Sequence, residues 1–538
     1  MVYLYPNAFE RVFGNDGEDK ERLSSDEVPL SPVQQFYENA NILITGGTGF
    51  IGMVLVEKLL RSCPGINKLF LIMRSKKGKS AEDRMRAMLS NPLFSRVVKQ
   101  DVNIFQKIRI VHGDLENEHL GLSEVDAGIL KREVDVIINV AATVRFDESL
   151  RKAYAVNVGS LKALVALAES MPHLKAFVHV STAFIPVHRS SRVILEEFYP
   201  SAYTETEMKA LLDSTDDYSL ACLNDLILGK TANTYILTKT MAEEFLRHKI
   251  NSLPIAIYRP SMVINTYEEP IIGWSCTLQN VGAIMTGVGL GVLRVLHFSP
   301  EKRMDAIPVD KCVSALVTLP WHIFNSRENN RQIAPIYNHV SDRKPITWGA
   351  ASVYALKIHR EEKVSSGQQI WTVDVTFEPN RFLYEIKFFF YHVLPLPLLI
   401  LAEKLQGKPP RILNIYTRIA FMLGQIRPFV EKNWNFNDNN LVSLWSVMSD
   451  QDRDLFHFDI CNIEWMRYLQ NLSKGISNYI LKDTLIVGCH PFKVQAMILT
   501  SDVLRLLKKI FQIYLAISVG SLFYDWSRGS LRYRALYP

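Results

Sequence analysis

The stretch Thr45-Gly46-Gly47-Thr48-Gly49-Phe50-Ile51-Gly52 decides the fold. Residues 40–45, which lead into it, form a short apolar run that reads as a buried strand, and residues 53–60 after it read as an amphipathic helix. Where a strand gives way to a helix, glycines at Gly46, Gly49 and Gly52 permit a tight turn and let a pyrophosphate approach backbone N–H groups at the helix N-terminus. A glycine triplet alone is weak, because glycine turns are common; the strand before, the helix after and the second strand beyond make this one specific. Gly46, Thr48, Gly49, Phe50, Ile51 and Gly52 are therefore read as a dinucleotide-binding turn.

Working outward, strand-like runs at 68–73, 107–111, 134–140, 176–180 and 255–258 are separated by segments long enough for crossover helices. This alternation predicts an α/β fold, a Rossmann-type doubly wound parallel sheet. Residues 186–230 loosen the pattern and are expected to form helices over the site. A helical period returns over 308–320, with Asp310 placed to cap its N-terminus. The chain divides accordingly into a polar lead-in (1–38), a dinucleotide-binding domain (39–345), a connection (346–379), a mainly helical C-terminal domain (380–480) and a segment expected to meet a membrane (495–530). No internal repeat is found.

At 538 residues the chain is too long for one ordinary core, and 48% hydrophobic against 22% charged residues is a globular composition. The formal charge of +6 is spread out, which argues against nucleic acid and fits an anionic cofactor or a membrane surface. Cys63, Cys222, Cys276, Cys312, Cys461 and Cys489 stand far apart with no Cys-x-x-Cys pair, so they read as reduced thiols facing a cytosolic environment. His112, His179 and His188 lack metal-ligand spacing, and no metal is expected. The N-terminus carries Glu10, Asp16, Glu18 and Asp19 and lacks the apolar core of a secretory signal peptide. The ending Ala535-Leu536-Tyr537-Pro538 is not a Ser-Lys-Leu peroxisomal address.

NAD enzymes often place an acidic residue at the end of the second strand, on the ribose hydroxyls; here that strand ends in Arg74-Ser75-Lys76-Lys77-Gly78-Lys79. Positive charge at Arg74 invites a 2′-phosphate and hence NADPH, the alternative being a solvated basic loop. Asp114, after the third strand, is placed to accept from the adenine amino group or to serve as an ordinary turn residue. Ala141, in Asn139-Val140-Ala141-Ala142, is small enough to let the cofactor pass close to backbone, or simply packs well.

Tyr235 and Lys239 are four apart and share one face of a helix, and Ser181-Thr182 closes another predicted strand. Reduction of a carbonyl needs a proton as hydride arrives, and a free tyrosine, with a pKa near about 10, is a poor donor at neutral pH. Lys239 corrects this by stabilising tyrosinate while holding the nicotinamide ribose. Thr182, or its neighbour Ser181, donates to the carbonyl oxygen and orients it. A Tyr-x-x-x-Lys by itself is more often a surface helix; in chain order with the glycine turn and Ser-Thr it points to catalysis. Pro260, in Arg259-Pro260 after the next strand, borders the cofactor or marks a structural strand end.

The chain resembles the eukaryotic fatty acyl-CoA reductases, the male-sterility-like members of the extended short-chain dehydrogenase/reductases, and most of all their insect branch. The matching stretches are Thr45 to Gly52, Asn139-Val140-Ala141-Ala142-Thr143-Val144-Arg145-Phe146-Asp147-Glu148, Val180-Ser181-Thr182-Ala183, Asn233-Thr234-Tyr235-x-x-Thr238-Lys239 and Arg259-Pro260-Ser261. The resemblance implies reduction of a long-chain acyl-CoA by two NADPH to a primary fatty alcohol and free CoA, with Tyr235 as acid and Lys239 on the ribose. The chain departs from the family in reading Gly273-Trp274-Ser275-Cys276-Thr277 where Gly-Trp-x-Asp-Asn is common, and Ala232-Asn233-Thr234-Tyr235 where a proline leads. Residues 282–296, rich in glycine and aliphatics, line an acyl path or form a packed helix connection.

Two apolar runs, 388–402 and 510–524, are each shorter than the about 20 residues of a spanning helix. Lys508-Lys509 precede the second, and Trp526 and Arg528 follow it as interfacial residues would. They are expected to hold the C-terminal region on an intracellular membrane, endoplasmic reticulum or peroxisome, with the catalytic domain in the cytosol. Competing readings are an NADP-dependent steroid or sugar-nucleotide dehydrogenase on the same fold, and a dinucleotide-binding protein without catalysis.

Overall fold

Near-continuous runs of Ile, Leu, Val and Phe can be buried on both faces only in a sheet covered by helices on each side. Such runs form β1 (Asn41–Thr45), β2 (Lys68–Met73), β3 (Ile108–His112), β4 (Val136–Asn139), β5 (Ala176–Val180) and β6 (Ile255–Pro260). Four short strands lie apart from them or follow: β7 (Met262–Ile264), β8 (Val295–Leu296), β9 (Ala306–Pro308) and, in the main sheet, β10 (Ile336–His339). The computed structural model describes residues 29–187, 193–278, 280–328, 335–361, 369–405, 412–482 and scattered positions between 495 and 518. Most of the lead-in, His188, Cys489, Lys508, Lys509, Trp526, Arg528 and most of 510–524 lie outside the described residues.

The main sheet is parallel throughout, in the order β10-β6-β5-β4-β1-β2-β3. The chain runs outward from β1 through β2 and β3, then returns to the other side of β1 with β4. That reversal opens a crevice at the carboxyl ends of β1 and β4, where Thr45 is in register with Asn139. The doubly wound α/β fold is the one expected, with one strand more than the hydrophobic pattern indicated. In β10, Ile336-Tyr337-Asn338-His339, half the residues are polar, and they are buried because this edge is covered. Glu196 accepts from the N–H groups of both Asn338 (2.8 Å) and Asn440 (2.9 Å), and the Asn338 side chain donates to the Asn437 carbonyl. The helix Asn439–Val447 thus seals an edge that would otherwise be an open template for pairing.

The helix Phe50–Ser62 packs against the long helix Val309–Glu328, which continues through Pro320. Asp310 does not cap that helix. It lies inside it, and its carboxylate accepts from the N–H groups of Tyr267 (2.8 Å), Glu268 (2.8 Å) and Glu269 (3.1 Å). Glu269 in turn is ion-paired with Lys58 and Arg61 of the cofactor-turn helix. The insertion forms the helices Glu205–Ser214, Asp217–Cys222 and Asn224–Leu228. Within the stretch read as a connection, Trp348–Arg360 is helical, capped by Thr347, and β11 (Thr376–Phe377) pairs with β8. The segment 282–296 begins with the helix Asn280–Gly289, which packs on β7 and on the helix Trp465–Gly475.

The C-terminal region carries the helices Arg381–Phe388, Leu396–Leu405, Ile412–Val430, Asn439–Val447 and Trp465–Gly475. It meets the first domain at a glycine-on-glycine contact. A Cβ on Gly475 would lie 1.6 Å from the Gly273 carbonyl oxygen, and Gly273 itself has φ +71°. Gly475→Ala should therefore lower the melting temperature, at a cost of about 1–3 kcal/mol for forced displacement. Gly424→Ala, in a helix with nothing within 4 Å of the new Cβ, should instead stabilise by up to about 1 kcal/mol. Thermal unfolding of the two variants beside the parent checks both signs.

Candidate active site

The turn after β1 is shaped by absent side chains. Gly46 has φ +72°, and a Cβ there would lie 2.8 Å from the Ala141 backbone; a Cβ on Gly52 would lie 2.1 Å from the Gly46 carbonyl oxygen. Gly49 begins the helix without a side-chain cap, so the first N–H groups of a 13-residue helix are left for an anion. This cradle fits the pyrophosphate of a dinucleotide. Ala141 is held against the turn by its N–H, which donates to Thr45 Oγ1 (3.2 Å). Thr45 Oγ1 donates to Asn139 Oδ1 (2.5 Å), and Asn139 Nδ2 meets His179 Nδ1 (3.0 Å). Burial, and then the positive charge of Lys239, hold the His179 ring well below its usual range, so this chain of hydrogen bonds ends in a neutral imidazole. Phe50 stacks on the buried Trp274 ring at 6.0 Å and 21°, and Ile51 packs on the core.

At the other end of the crevice Arg74 and Asp114 are brought together rather than kept in separate roles. Arg74 Nη1 reaches both Asp114 oxygens (3.1 and 2.9 Å) and Glu116 (3.0 Å). A tight hairpin, with Lys77 at φ +52° and Gly78 at φ +74°, folds Lys79 back on Lys76. Arg84, which the sequence reading passed over, donates to Thr48 Oγ1 (2.8 Å) and to the Arg74 carbonyl. Arg84 thereby ties the glycine turn to the end of β2. Burial, then the charges of Arg74, Arg84, Lys77 and Lys152, push the Lys76 ammonium down. The corner therefore gathers several positive charges beside the glycine turn, with Asp114 and Glu116 answering Arg74.

The helix Thr234–Arg247, which carries the Tyr-x-x-x-Lys pair, begins at Asn233, whose side chain accepts from the Ile236 N–H (2.9 Å). Asparagine at this position is thus a cap rather than a defect. Tyr235, Lys239 and Glu243 follow at intervals of four along one face. Lys239 Nζ donates to the Val180 carbonyl (2.7 Å) at the end of β5, next to Ser181 and Thr182. Ser181 Oγ is buried without a hydrogen-bond partner among the described residues, while Thr182 Oγ1 accepts from the Phe184 N–H (3.3 Å). Burial pushes the Tyr235 phenol up to about 12, with the Thr182 hydroxyl lowering it and Glu243 raising it. Burial brings the Lys239 ammonium down to about 8, against the pull of Glu243. Glu243 is itself buried in an ion pair with Arg259, which also donates to the Leu195 and Glu197 carbonyls. Arg259 is therefore a strand-end anchor, and Pro260 beside it accepts at its carbonyl from the Ala183 N–H (3.0 Å).

Two further features have no signature in the motif search. Asn157, on a π-turn, donates to Thr238 Oγ1 (3.0 Å) and accepts from the Thr143 N–H (2.9 Å), pinning the 143–148 loop to the helix Thr234–Arg247. Phe146 on that loop lies 5.9 Å from the Tyr235 ring and stacks at 5.3 Å on Phe429, from the end of the helix Ile412–Val430. Phe429 also meets Phe184, which touches Trp434 and Phe436. The C-terminal domain thus supplies an aromatic wall beside Tyr235.

Residues 44–316 match a family model described as Male sterility protein, and residues 391–483 match a second of the same description. Fatty acyl-CoA reductase wat of Drosophila melanogaster is 33% identical over 473 residues, covering 87% of this chain and 89% of that protein. The chain belongs to the fatty acyl-CoA reductase family. Fatty acyl-CoA reductase 1 of Mus musculus is 31% identical over 457 residues, 84% of this chain and 87% of its own length. Among solved structures, the terminal R domain of the myxalamid PKS-NRPS pathway superposes with a TM-score of 0.54 at 17% identity, over 82% of this chain and 92% of that one. The reductase domain of a nonribosomal peptide synthetase from Mycobacterium tuberculosis gives 0.52 at 18%, with the same coverage. These two bear on the fold. With the cradle and the Tyr-Lys pair, family membership makes the chain an oxidoreductase that takes a nicotinamide dinucleotide.

In such a reductase Tyr235→Phe should lower turnover by about 10²–10⁴-fold while leaving dinucleotide binding intact, measured by titrating the cofactor's fluorescence alongside the rate. In the role read for it from sequence, the Lys239 ammonium, brought down to about 8 by burial, acts in its charged form. Its charged form is lost as pH rises, so kcat/KM should fall through about pH 8, and Glu243→Gln should move that fall to lower pH by removing the carboxylate that raises Lys239.

Proposed function

We propose that the chain reduces a long-chain fatty acyl-CoA with two NADPH to a primary fatty alcohol, releasing CoA. The observation that carries this reading is the junction at Tyr235, where the phenol of the Tyr-x-x-x-Lys pair meets an apolar aromatic wall donated by the C-terminal domain. Such a wall suits an alkyl chain and offers few polar groups to a sugar nucleotide. NADPH, bound along the glycine cradle, Ala141 and Lys239, supplies a hydride for each reduction.

The residues of this chain handle the oxygen. The Thr182 hydroxyl donates to the thioester carbonyl oxygen and orients the carbon, with Ser181 beside it. Tyr235 gives its proton as negative charge develops on that oxygen, and Lys239 stabilises the resulting phenolate. As the C–S bond breaks and CoA thiolate leaves, the hemithioacetal hydroxyl returns its proton to the Tyr235 phenolate, and the phenol so restored protonates the aldehyde oxygen in the second reduction to give the alcohol. Arg74, Lys76 and Arg84 stand together at the end of β2, where positive charge suits a ribose 2′-phosphate, and this supports NADPH over NADH.

Purified protein given NADPH and palmitoyl-CoA or longer homologues should consume two NADPH per CoA released and yield the alcohol by mass spectrometry. Failure on every chain length would sink the reading. Arg84→Ala should weaken NADPH by about 10- to 100-fold, as expected for hydrogen bonds to a charged group, and NADH far less.

We also propose that the C-terminal domain rests on an intracellular membrane, endoplasmic reticulum or peroxisome, with the catalytic domain on the cytosolic side. Among the described residues no helix is long and apolar enough to cross a membrane. The support is an exposed apolar surface, including Phe382, Phe390, Leu394, Leu405 and Phe421, with Arg381, Lys404 and Arg418 on the same helices. A single folded domain seldom leaves so much apolar surface to water. Flotation with vesicles containing anionic lipid should carry the protein upward, and Phe382→Asp with Phe390→Asp should leave it in the dense fraction.

A further inference from the structure

A cleft of about 330 Å³ opens between the loop after β4 and the insertion helices. That volume lies in the range of about 300–1,000 Å³ typical of small-ligand sites. One wall is Phe146, Asp147 and Glu148; the other is Asp217, Ala221 and Asn224. Its floor is Thr234, the residue before the catalytic tyrosine, whose hydroxyl donates to the Glu148 carbonyl (3.1 Å). The cleft is braced open: Arg151 bonds Asp217 (2.6 Å) and the carbonyls of Leu212 (2.9 Å) and Thr215 (2.7 Å), tying the insertion to the core. Phe146 belongs both to this cleft and to the packed aromatic wall, so Tyr235 lies between a polar cleft and an apolar cluster.

We propose that this cleft holds the pantetheine arm of the acyl-CoA, while the acyl chain runs along Phe146, Phe429 and Phe184. The inference rests on the acyl-CoA reading above. Charge decides what can enter. Asp147 is paired with Arg145, Glu148 with Lys152 and Asp217 with Arg151, so the cleft is polar with little net charge, and its carboxylates and Asn224 accept from the amide N–H groups of a neutral arm. The arm is the stretch of the substrate that ends at the thioester, and the thioester carbonyl must sit at Tyr235. Placing the two halves against different surfaces also tells the two reductions apart, because the aldehyde of the second step has lost the arm and keeps only the chain.

The test follows from that difference. Ala221→Trp fills the cleft from an exposed helix position, and Asn224→Ala removes a polar wall group without bulk. With NADPH saturating, Ala221→Trp should raise KM for palmitoyl-CoA by about tenfold or more, with KM and kcat for hexadecanal unchanged within about twofold. Asn224→Ala should shift the same KM in the same direction by a smaller factor. Free 4′-phosphopantetheine should compete with palmitoyl-CoA in the parent and not in Ala221→Trp. Equal loss on both substrates, loss on hexadecanal alone, or no change in either would overturn the assignment while the parent still reduces acyl-CoA. A parent inactive on every acyl-CoA would overturn the reading on which it rests.

Discussion

The buried ion pair between Glu243 and Arg259 is the constraint on which the catalytic geometry depends. Neither side chain has appreciable contact with water, so removal of either one would strand a charge in the interior at a cost of about 3–5 kcal/mol. The pair locks the helix Thr234–Arg247 to β6, and Arg259 simultaneously gathers the Leu195 and Glu197 carbonyls. From that anchor the helix presents Lys239 to the end of β5 and Tyr235 to the crevice. A surface pair would be screened and loose; this one sets a position and keeps a negative potential beside Lys239.

Around that anchor the two regions of the chain build one site. The first domain supplies the cradle, the electropositive corner and the Tyr235–Lys239 face. The second supplies Phe429, Trp434 and Phe436, which close on Phe184 and Phe146. The loop 267–269 links them mechanically, since Asp310 gathers its three N–H groups, Glu269 reaches Lys58 and Arg61 of the cofactor-turn helix, and Lys58 donates to the Leu455 carbonyl. The Trp274 ring, next to the Gly273–Gly475 contact, presses on Phe50 at the mouth of the same helix.

What could be read from sequence was what is local. The glycine turn, the six apolar strands and the Tyr235–Lys239 spacing each depend on residues a few positions apart, so periodicity and motif carry them. The rest depends on contacts between distant segments. Asp310 had the look of a cap, yet its partners come from the 267–269 loop rather than its own helix. Arg84 gains its place only because the 74–79 hairpin folds back. β10 hid behind Asn338 and His339, whose burial follows from the helix laid over that edge. Glu243 was legible in principle, as the next step of the four-residue spacing that links Tyr235 to Lys239, whereas nothing near Phe429 announces its meeting with Phe146.

The sealed edge at β10 bears on how such a protein can be inherited. Glu196 holds one strand of the sheet and one helix of the C-terminal domain by two oxygens of a single carboxylate, and Asn440 donates back to the Ile336 carbonyl. The nucleotide-binding half is therefore an incomplete solid when taken alone, with a raw sheet border and a half-built catalytic chamber. Gene rearrangement that separated the two halves would lose solubility and chemistry in one event.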